Sequence, residues 1–164
     1  MAEQIYSESI RKAIENKKQI ESSLKVKLNI KGHIVTITGD PADELICLRV
    51  IEAMNLGFSV FQALDLKDEQ FAFEVIPIKN IAKRRNLSQV RGRIIGTERK
   101  TLRTIEALTG CEIVLHDNSV GVIGLSEAVR KASYAMRKLI AGSKHANVYM
   151  YLEDENAKQK AGVW

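Results

Sequence analysis

The sequence contains few of the residues that build metal centres or membrane spans. Two cysteines and three histidines occur in 164 residues, and none of them stands at metal-ligand spacing from another. No window approaches the roughly 18 consecutive apolar residues of a membrane-spanning helix. The opening residues, MAEQIYSESIRK, lack the basic and apolar regions of a secretory signal. We therefore expect a cytoplasmic protein without a metal site or a membrane span.

Catalytic constellations are missing as well. Cys47 and Cys111 lie among apolar neighbours in the chain, which is typical of small core residues. His33, His116 and His145 are far apart. No pair of carboxylates and no nucleophile with a base recurs at a meaningful spacing. The sequence therefore predicts a protein that is not an enzyme and that carries no cofactor.

Positive charge is concentrated in the second half of the chain. Residues 1–76 contain 9 Lys and Arg against 12 Asp and Glu, a net charge of −3, whereas residues 77–164 contain 16 against 8, a net charge of +8. In one short segment eight basic residues stand against Glu98 alone: Lys83, Arg84, Arg85, Arg91, Arg93, Arg99, Lys100 and Arg103. Such a density suits a polyanion, and nucleic acid is the expected polyanion for a cytosolic protein. A solvated helix face is the alternative interpretation.

The chain repeats itself at an offset of 85 residues over nearly fifty positions. The aligned pairs include Ile20 and Ile105, Glu21 and Glu106, Leu28 and Ile113, Gly39 and Gly124, and Gly57 and Gly142. Two copies of this length indicate tandem domains rather than a solenoid.

Periodicity predicts the elements of the second copy. The run FAFEVIPI is typical of a strand. Asn86–Ile95 and Lys100–Thr109 carry apolar residues at helical spacing. Cys111–Gly124 alternates apolar and polar residues on either side of a turn, which predicts a β-hairpin. Ser126 is expected to N-cap a long helix that ends at Gly142.

This order of elements predicts an α+β protein made of two similar domains, each a three-stranded sheet covered by helices on one face. The first domain, residues 1–66, has an abbreviated opening strand and a long helix at Asp43–Leu56. Phe58–Leu66 is expected to form a further turn of helix that links the copies. The second domain covers residues 67–153. Residues 154–164 are expected to form a flexible C-terminal tail.

The stretch GRIIGTERKT, from Gly92 to Thr101, lies at the junction of two predicted helices. The free N–H groups and the positive dipole end of the second helix face this turn, so it favours an anion. Gly96 allows a sugar-phosphate backbone to come close, and Ile94 or Ile95 offers an apolar wall for unstacked bases. The candidate RNA-binding residues are Lys83, Arg84, Arg85, Arg91, Arg93, Ile94, Ile95, Gly96, Thr97, Arg99, Lys100 and Arg103.

Two other interpretations of this stretch compete with that one. In the first, Gly96 simply ends a helix and the isoleucines belong to the core, which holds at least for Ile95 because its repeat partner Ile10 is also apolar. In the second, the stretch binds a nucleoside triphosphate. The pattern GxxxxGK[ST] is absent, however, because Arg99 rather than glycine precedes Lys100.

The βααββα order with an IIGxxG-like turn resembles the type I KH domain, an RNA-binding module. The chain is more closely similar to the Krr-one-like family of two-KH ribosome-assembly proteins called Dim-two or partner of Nob. The similarity runs from about Gly32 to Glu153. It is strongest in RGRIIG (91–96), KTLRTIEALTG (100–110), VGVIG (120–124) and LIAGSKHANVYMYLE (139–153).

This resemblance implies an RNA-binding protein of ribosome biogenesis and rRNA processing, without catalysis. The second KH domain would grip single-stranded 16S rRNA near its 3′ end, and the first would contact proteins. The implied partners are the Nob endonuclease and, in archaea, the alpha subunit of initiation factor two. The chain has no long charged N-terminal extension, which favours an archaeal member of the family.

The chain departs from the KH pattern at both turns. In the first copy Arg11 stands at the position of Gly96, so no glycine loop is expected there. In the second copy Arg99 replaces the second glycine of GxxG, and Glu98 adds a carboxylate. We therefore expect weaker or shifted RNA binding. The alternative function is a protein-interaction adaptor whose KH modules no longer bind RNA.

Overall fold

The computed structural model describes residues 2–83 and 85–162. The chain divides into two compact units, Met1–Phe73 and Glu74–Trp164, so the division lies a few residues beyond the expected end of the first domain at position 66. No helix in the described ranges combines the length and the apolarity that a bilayer crossing requires.

The first unit combines a three-stranded sheet with helices. Its strands lie in the order β1-β3-β2, and both neighbouring pairs are antiparallel. The short first strand agrees with the abbreviated strand predicted for this copy. The elements are β1 (Glu3–Tyr6), α1 (Ile10–Glu15), α2 (Lys17–Leu24), β2 (Lys27–Lys31), β3 (Ile34–Thr38), α3 (Pro41–Asn55) and α4 (Val60–Leu64), followed by a 3-10 turn at Asp65–Lys67.

The second unit holds the order strand, helix, helix, strand, strand, helix that periodicity predicts. Its sheet has the strand order β4-β6-β5. The α+β class and the three-stranded sheets are therefore confirmed. The elements are β4 (Phe71–Pro77), which spans the division, α5 (Ile78–Ala82), α6 (Leu87–Ile95), a 3-10 turn (Thr97–Arg99), α7 (Lys100–Thr109), β5 (Glu112–His116), β6 (Ser119–Leu125), α8 (Ser126–Ala141) and α9 (His145–Lys160).

The duplication is visible in a side-chain clamp that occurs once in each unit. The carboxylate of Glu21 accepts a hydrogen bond from the Leu28 backbone N–H at 2.9 Å. Its repeat partner Glu106 accepts one from the Ile113 N–H at 3.1 Å. Each bond ties a helix to the strand that follows it and pairs a part-buried N–H group, which is costly to leave unmet.

A second repeated contact explains a glycine in each hairpin. A Cβ atom added at Gly124 would lie 2.8 Å from the Cys111 sulfur, and one added at Gly39 would lie 3.0 Å from the Val26 Cγ1. The hairpin partners therefore pack against bare α-carbons. Because Val26 and Cys111 are themselves repeat partners, the same close approach of a side chain to a glycine occurs in each unit.

Cys47 and Cys111 are free thiols in the core, as the sequence predicts. Burial raises the pKa of Cys47 from 9.0 to about 12. Burial also raises the pKa of Cys111, against a hydrogen bond with Thr109 that lowers it. Both thiols are therefore protonated and poorly nucleophilic at neutral pH.

The predicted N-cap of the long helix needs correction. The long helix begins at Ser126 itself, with Leu125 at the N-cap position and no side-chain cap, so Ser126 is not the N-cap. Asn86, in contrast, does cap α6, since its side-chain oxygen accepts the N–H of Gln89 at 3.2 Å.

The predicted flexible tail is also wrong for residues 154–160, which continue helix α9. No Gly or Pro interrupts this stretch, and Val148 and Leu152 are buried one turn apart. The Asn156 amide donates to the Leu108 carbonyl at 2.8 Å and anchors the far half of the helix. The segment contains many charged residues, so its narrow apolar stripe is not apparent from the sequence.

Candidate nucleic-acid interface

A tight turn joins α6 to α7 at the stretch that the sequence singles out. Helix α6 ends at Ile95, and Gly96 follows with a φ of 75° and a ψ of 169°. A single 3-10 turn, closed by the Arg99 N–H donating to the Gly96 carbonyl at 3.2 Å, leads into Lys100. The side chains of Thr97, Arg99 and Lys100 are exposed. The junction is therefore open to a ligand.

Two consecutive residues of the turn are left-handed although neither is glycine. Glu98 has φ 53° and ψ 33°, and Arg99 has φ 63° and ψ 19°. This conformation costs an L-residue about 1–2 kcal/mol. Such strain tends to persist at functional sites. Arg99 thus keeps a backbone conformation that glycine adopts freely, while it adds a guanidinium group.

The first turn of α7 has no side-chain cap at this junction, although the Lys100 N–H donates to the Thr97 carbonyl within the 3-10 turn. Arg99 occupies the N-cap position without a side-chain cap, and the first turn contains no acidic residue. The positive end of the helix dipole therefore faces the turn, and no side chain takes the place of a cap there, although Glu98 stands one residue before the N-cap. An anionic group of a ligand can take that place.

A groove of about 760 Å³ runs from this turn along the outer face of α7. Within the described ranges, no hydrogen bond or ion pair engages the side chains of Lys100 and Arg103 in this groove. The far end of the groove is apolar, so a phosphate fits at one end and a base or sugar at the other. Its lining residues are Thr97, Glu98, Lys100, Arg103, Thr104, Ala107 and Leu108.

The sequence prediction missed the far end of this groove. Thr104, Ala107 and Leu108 follow Lys100 at intervals of four, seven and eight residues, which places them on one side of a helix. That spacing could have identified them from the sequence.

The two isoleucines before Gly96 differ in their accessibility. Ile94 is 0% exposed, so the prediction that it offers a wall to bases is wrong, because helical periodicity directs it into the core. The expectation that Ile95 belongs to the core is also wrong, because Ile95 is half-buried and keeps some apolar surface beside the turn.

Two of the predicted phosphate-binding arginines instead hold the end of α8. Arg93 donates to the carbonyls of Leu139 at 2.9 Å and Ser143 at 2.6 Å. Arg85 donates to the Ile140 carbonyl at 3.5 Å and lies against Gly142. Cations are stabilising at a helix C-terminus, where carbonyl groups lack partners. This role replaces phosphate binding for Arg93 and competes with it for Arg85.

The remaining basic residues lie apart from the turn or outside the described ranges. Arg91 is exposed on α6, and Lys83 is exposed after α5, with a φ of 56°. Arg84, also a predicted RNA-binding residue, lies outside the described residues. The cations that the structure brings together at the turn are Arg99, Lys100 and Arg103.

The first unit has no equivalent of this turn in its described residues. Helix α1 runs through Arg11 and Ile14, the positions that align with Gly96 and Arg99. Ile14 is 57% exposed, so this copy presents an apolar side chain where the second copy presents a cation. The described residues of the chain also contain no cluster of His, Cys, Asp or Glu that could hold a metal ion.

Comparison with known proteins agrees with this geometry. Residues 72–157 match the model for the second KH domain of PNO1, described as a eukaryotic-type KH domain of type I. The chain belongs to the Dim2/PNO1 family. Members of this family are RNA-binding KH proteins without enzymatic activity, which confirms the prediction that the chain is not an enzyme.

Individual relatives are similar over most of the chain. A KH domain-containing protein of Methanocaldococcus jannaschii is 37% identical over 88% of this chain and 66% of its own length. The pre-rRNA-processing protein pno1 of Schizosaccharomyces pombe is 31% identical over 85% and 61%. The chain thus spans less than two thirds of the length of these curated relatives.

A solved structure of the Dim2/PNO1 family is also similar. A chain in the crystal structure of the a/eIF2alpha-aDim2p-rRNA complex from Pyrococcus horikoshii OT3 is 30% identical, with a TM-score of 0.86. The match covers 96% of this chain and 95% of that chain.

Proposed function

We propose that this protein binds single-stranded ribosomal RNA through the turn Gly96–Arg99 and the groove on α7, as an assembly factor of the small ribosomal subunit. The observation that carries the proposal is the start of α7, which is exposed at Arg99 and Lys100 and has no side-chain cap. It lies beside Lys100 and Arg103, whose ammonium and guanidinium groups no described residue engages. The solved complex that contains rRNA and the pre-rRNA-processing relative support the same function.

The turn divides the work of binding between backbone and side chains. A phosphate lies at the N–H groups of the first turn of α7, and Lys100 and Arg103 neutralise its neighbours along the strand. Ala107 and Leu108 receive the apolar faces of a sugar or base. Glu98 repels the phosphate, while Arg99 offsets that repulsion through its two-pronged guanidinium. Affinity is therefore lower than that of a loop without the carboxylate.

The proposed RNA is the 3′ region of 16S rRNA, which the family resemblance implies. In this proposal the chain is two tandem KH domains, of which the first has lost its glycine turn and contacts proteins in the cytoplasm. Its acidic balance, −3 over residues 1–76, makes it a poor surface for RNA. The alpha subunit of initiation factor two and the Nob endonuclease are the proposed partners. The first of them is a component of the solved complex.

Direct binding measurements test this proposal. We expect the chain to bind a fluorescent single-stranded oligonucleotide of the 16S rRNA 3′ terminus more tightly than a shuffled oligonucleotide or the same sequence in a duplex. Gly96→Asp should abolish binding, and circular dichroism should show that the variant, although less stable, is still folded. Equal affinity for the duplex, or unchanged affinity of the Gly96→Asp variant, would contradict the proposal.

A second candidate function is a protein-interaction adaptor that no longer binds RNA. The carboxylate of Glu98 inside the turn favours this candidate, whereas the free cations of the groove oppose it. Capture of partners from lysate, before and after nuclease treatment, separates the two. An adaptor keeps its partners after nuclease, whereas an RNA-binding factor loses those that RNA recruits.

A further inference from the structure

A second concave site lies between α8 and α9, within the second unit. It is a pocket of about 230 Å³ whose walls are both aromatic and polar. Its lining includes Tyr134, Lys138, Ser143, Asn147, Val148 and Tyr151.

The wall of the pocket is a pair of tyrosines. The rings of Tyr134 and Tyr151 lie 4.6 Å apart with an angle of 46° between them. The Lys138 ammonium lies 5.4 Å from the centre of the Tyr134 ring. Tyr134 remains 46% exposed, and the Lys138 side chain beside it is exposed as well. An exposed aromatic ring beside a cation is the arrangement that holds single-stranded nucleic acid by stacking.

Charge at the pocket favours an anionic occupant. Two carboxylates on α8 and α9 are paired, Glu127 with Arg130 at 2.7 Å and Glu155 with Lys158 at 3.8 Å, whereas Asp154, three residues after Tyr151, has no ion pair among the described residues. Lys138 has no carboxylate partner among the described residues and is engaged by the Tyr134 ring alone. An acidic ligand therefore finds an uncompensated ammonium group at the edge of the pocket.

Arg93 connects one edge of the pocket to α6, the helix that leads into the turn. The Ser143 carbonyl, at one edge of the pocket, accepts the Arg93 guanidinium at 2.6 Å. The His145 Nε2 lies 3.0 Å from the Arg93 carbonyl. Gly96 follows Arg93 by three residues, about 5 Å along a helix. Lys144, which lies between the lining residues Ser143 and Asn147 in the chain, is exposed.

We propose that the α8–α9 pocket binds a nucleotide of the same RNA strand that occupies the turn, a few nucleotides away. The base packs against the wall formed by Tyr134 and Tyr151. Asn147 and Ser143 offer hydrogen bonds to its edge, and Lys138 leaves the ring to pair with a phosphate. This inference rests on the proposed RNA binding at Gly96. The free cation and the link to α6 through Arg93 favour RNA over a peptide.

The test compares a short RNA that spans only the turn with RNAs extended at the 5′ or the 3′ end. Tyr134→Ala should leave the affinity for the short RNA unchanged. It should lower the affinity for one of the extended RNAs about fivefold to a hundredfold, which corresponds to the loss of one stacked base. Lys138→Gln should lower the affinity for the same RNA. Phe61→Ala is the matched control, since Phe61 is an exposed aromatic residue of the first unit. Tyr134→Leu removes the aromatic face but keeps most of the packing against Tyr151.

The outcomes separate this inference from the proposed function. If Gly96→Asp abolishes binding but the Tyr134 and Lys138 variants bind all three RNAs like the wild type, the pocket proposal is overturned and the turn remains. If Gly96→Asp has no effect on any RNA, the proposed function itself fails. Loss of a protein partner from the Tyr134→Ala variant, with unchanged binding of all RNAs, would identify a protein-docking pocket and also overturn the proposal.

Discussion

Thr101 fills the space beside the α-carbon of Gly96. A Cβ atom at Gly96 would overlap the Thr101 hydroxyl and lie 2.7 Å from the Thr101 backbone nitrogen. Gly96 also has a φ of 75°, which side chains disfavour. The turn therefore requires glycine for two independent reasons, and its backbone is held against the first turn of α7.

Gly96→Ala should destabilise the protein and impair its turn. The left-handed conformation costs about 1–2 kcal/mol, and the overlap with Thr101 adds to this, so we expect a loss of about 2 kcal/mol or more in urea unfolding. RNA affinity should fall with it. Gly92→Ala is the matched control in the preceding helix, because a Cβ atom there meets nothing within 4 Å. It should stabilise the protein by about 0.5–1 kcal/mol. Equal effects of the two changes would contradict this explanation.

Glu98→Gln should strengthen RNA binding. The carboxylate is exposed inside the turn, where it opposes a phosphate, so its removal should raise affinity about fivefold at low salt. The gain should shrink as salt is added, since salt screens exposed charges. Glu112→Gln, an exposed carboxylate on β5, is the control and should change affinity little. Weaker binding by the Glu98→Gln variant would show that the carboxylate contacts the RNA favourably.

Arg91 and Arg93 should separate RNA affinity from stability, although they stand two residues apart on α6. Arg93→Ala removes two charge-assisted bonds to the end of α8 and should cost about 2–4 kcal/mol in chemical unfolding. Arg91→Ala, at an exposed position, should change stability by less than about 0.5 kcal/mol and weaken RNA binding slightly. Similar losses of stability in the two variants would contradict the assignment of Arg93.

The two buried thiols should react with a labelling reagent only when the protein unfolds. The pKa of Cys47 is raised to about 12 by burial, so the thiol stays protonated in the folded state at pH 8. Its contribution to stability is complete below the ordinary value of 9.0 and is lost as the pH rises from 9.0 towards 12, because the unfolded chain ionises first. Thiol labelling at pH 8 should require denaturant. Rapid labelling of the native protein would contradict the burial of both cysteines.

Local pattern was sufficient for the elements that form the turn. Lys100–Thr109 shows an apolar stripe that ends at glycine, and the helix has those bounds. The exposed positions of Lys100 and Arg103 follow from the same periodicity. These features depend only on residues close in the chain, which the sequence displays directly.

The features that the sequence pattern did not reveal depend on contacts between residues that are distant in the chain. Arg93 resembles any cation of a basic run until the C-terminus of α8, 46 residues later, is placed beside it. The same holds for Asn156, which finds its carbonyl partner at Leu108. Ile94 and Ile95 project about 100° apart around the axis of α6. Ile94 therefore points into the core while Ile95 lies at its edge.

The salt dependence of RNA binding tests the central claim most directly. The affinity of the wild type for the single-stranded 16S 3′ oligonucleotide should fall steeply with salt. The double variant Lys100→Gln and Arg103→Gln should reduce the slope of log affinity against log salt by about 1.4, about 0.7 for each lost phosphate contact. Arg137→Gln, whose guanidinium is paired with Glu74 at 3.0 Å, should leave the slope unchanged. A wild-type affinity independent of salt, or a slope that the double variant does not change, would contradict the account of the turn as a phosphate site.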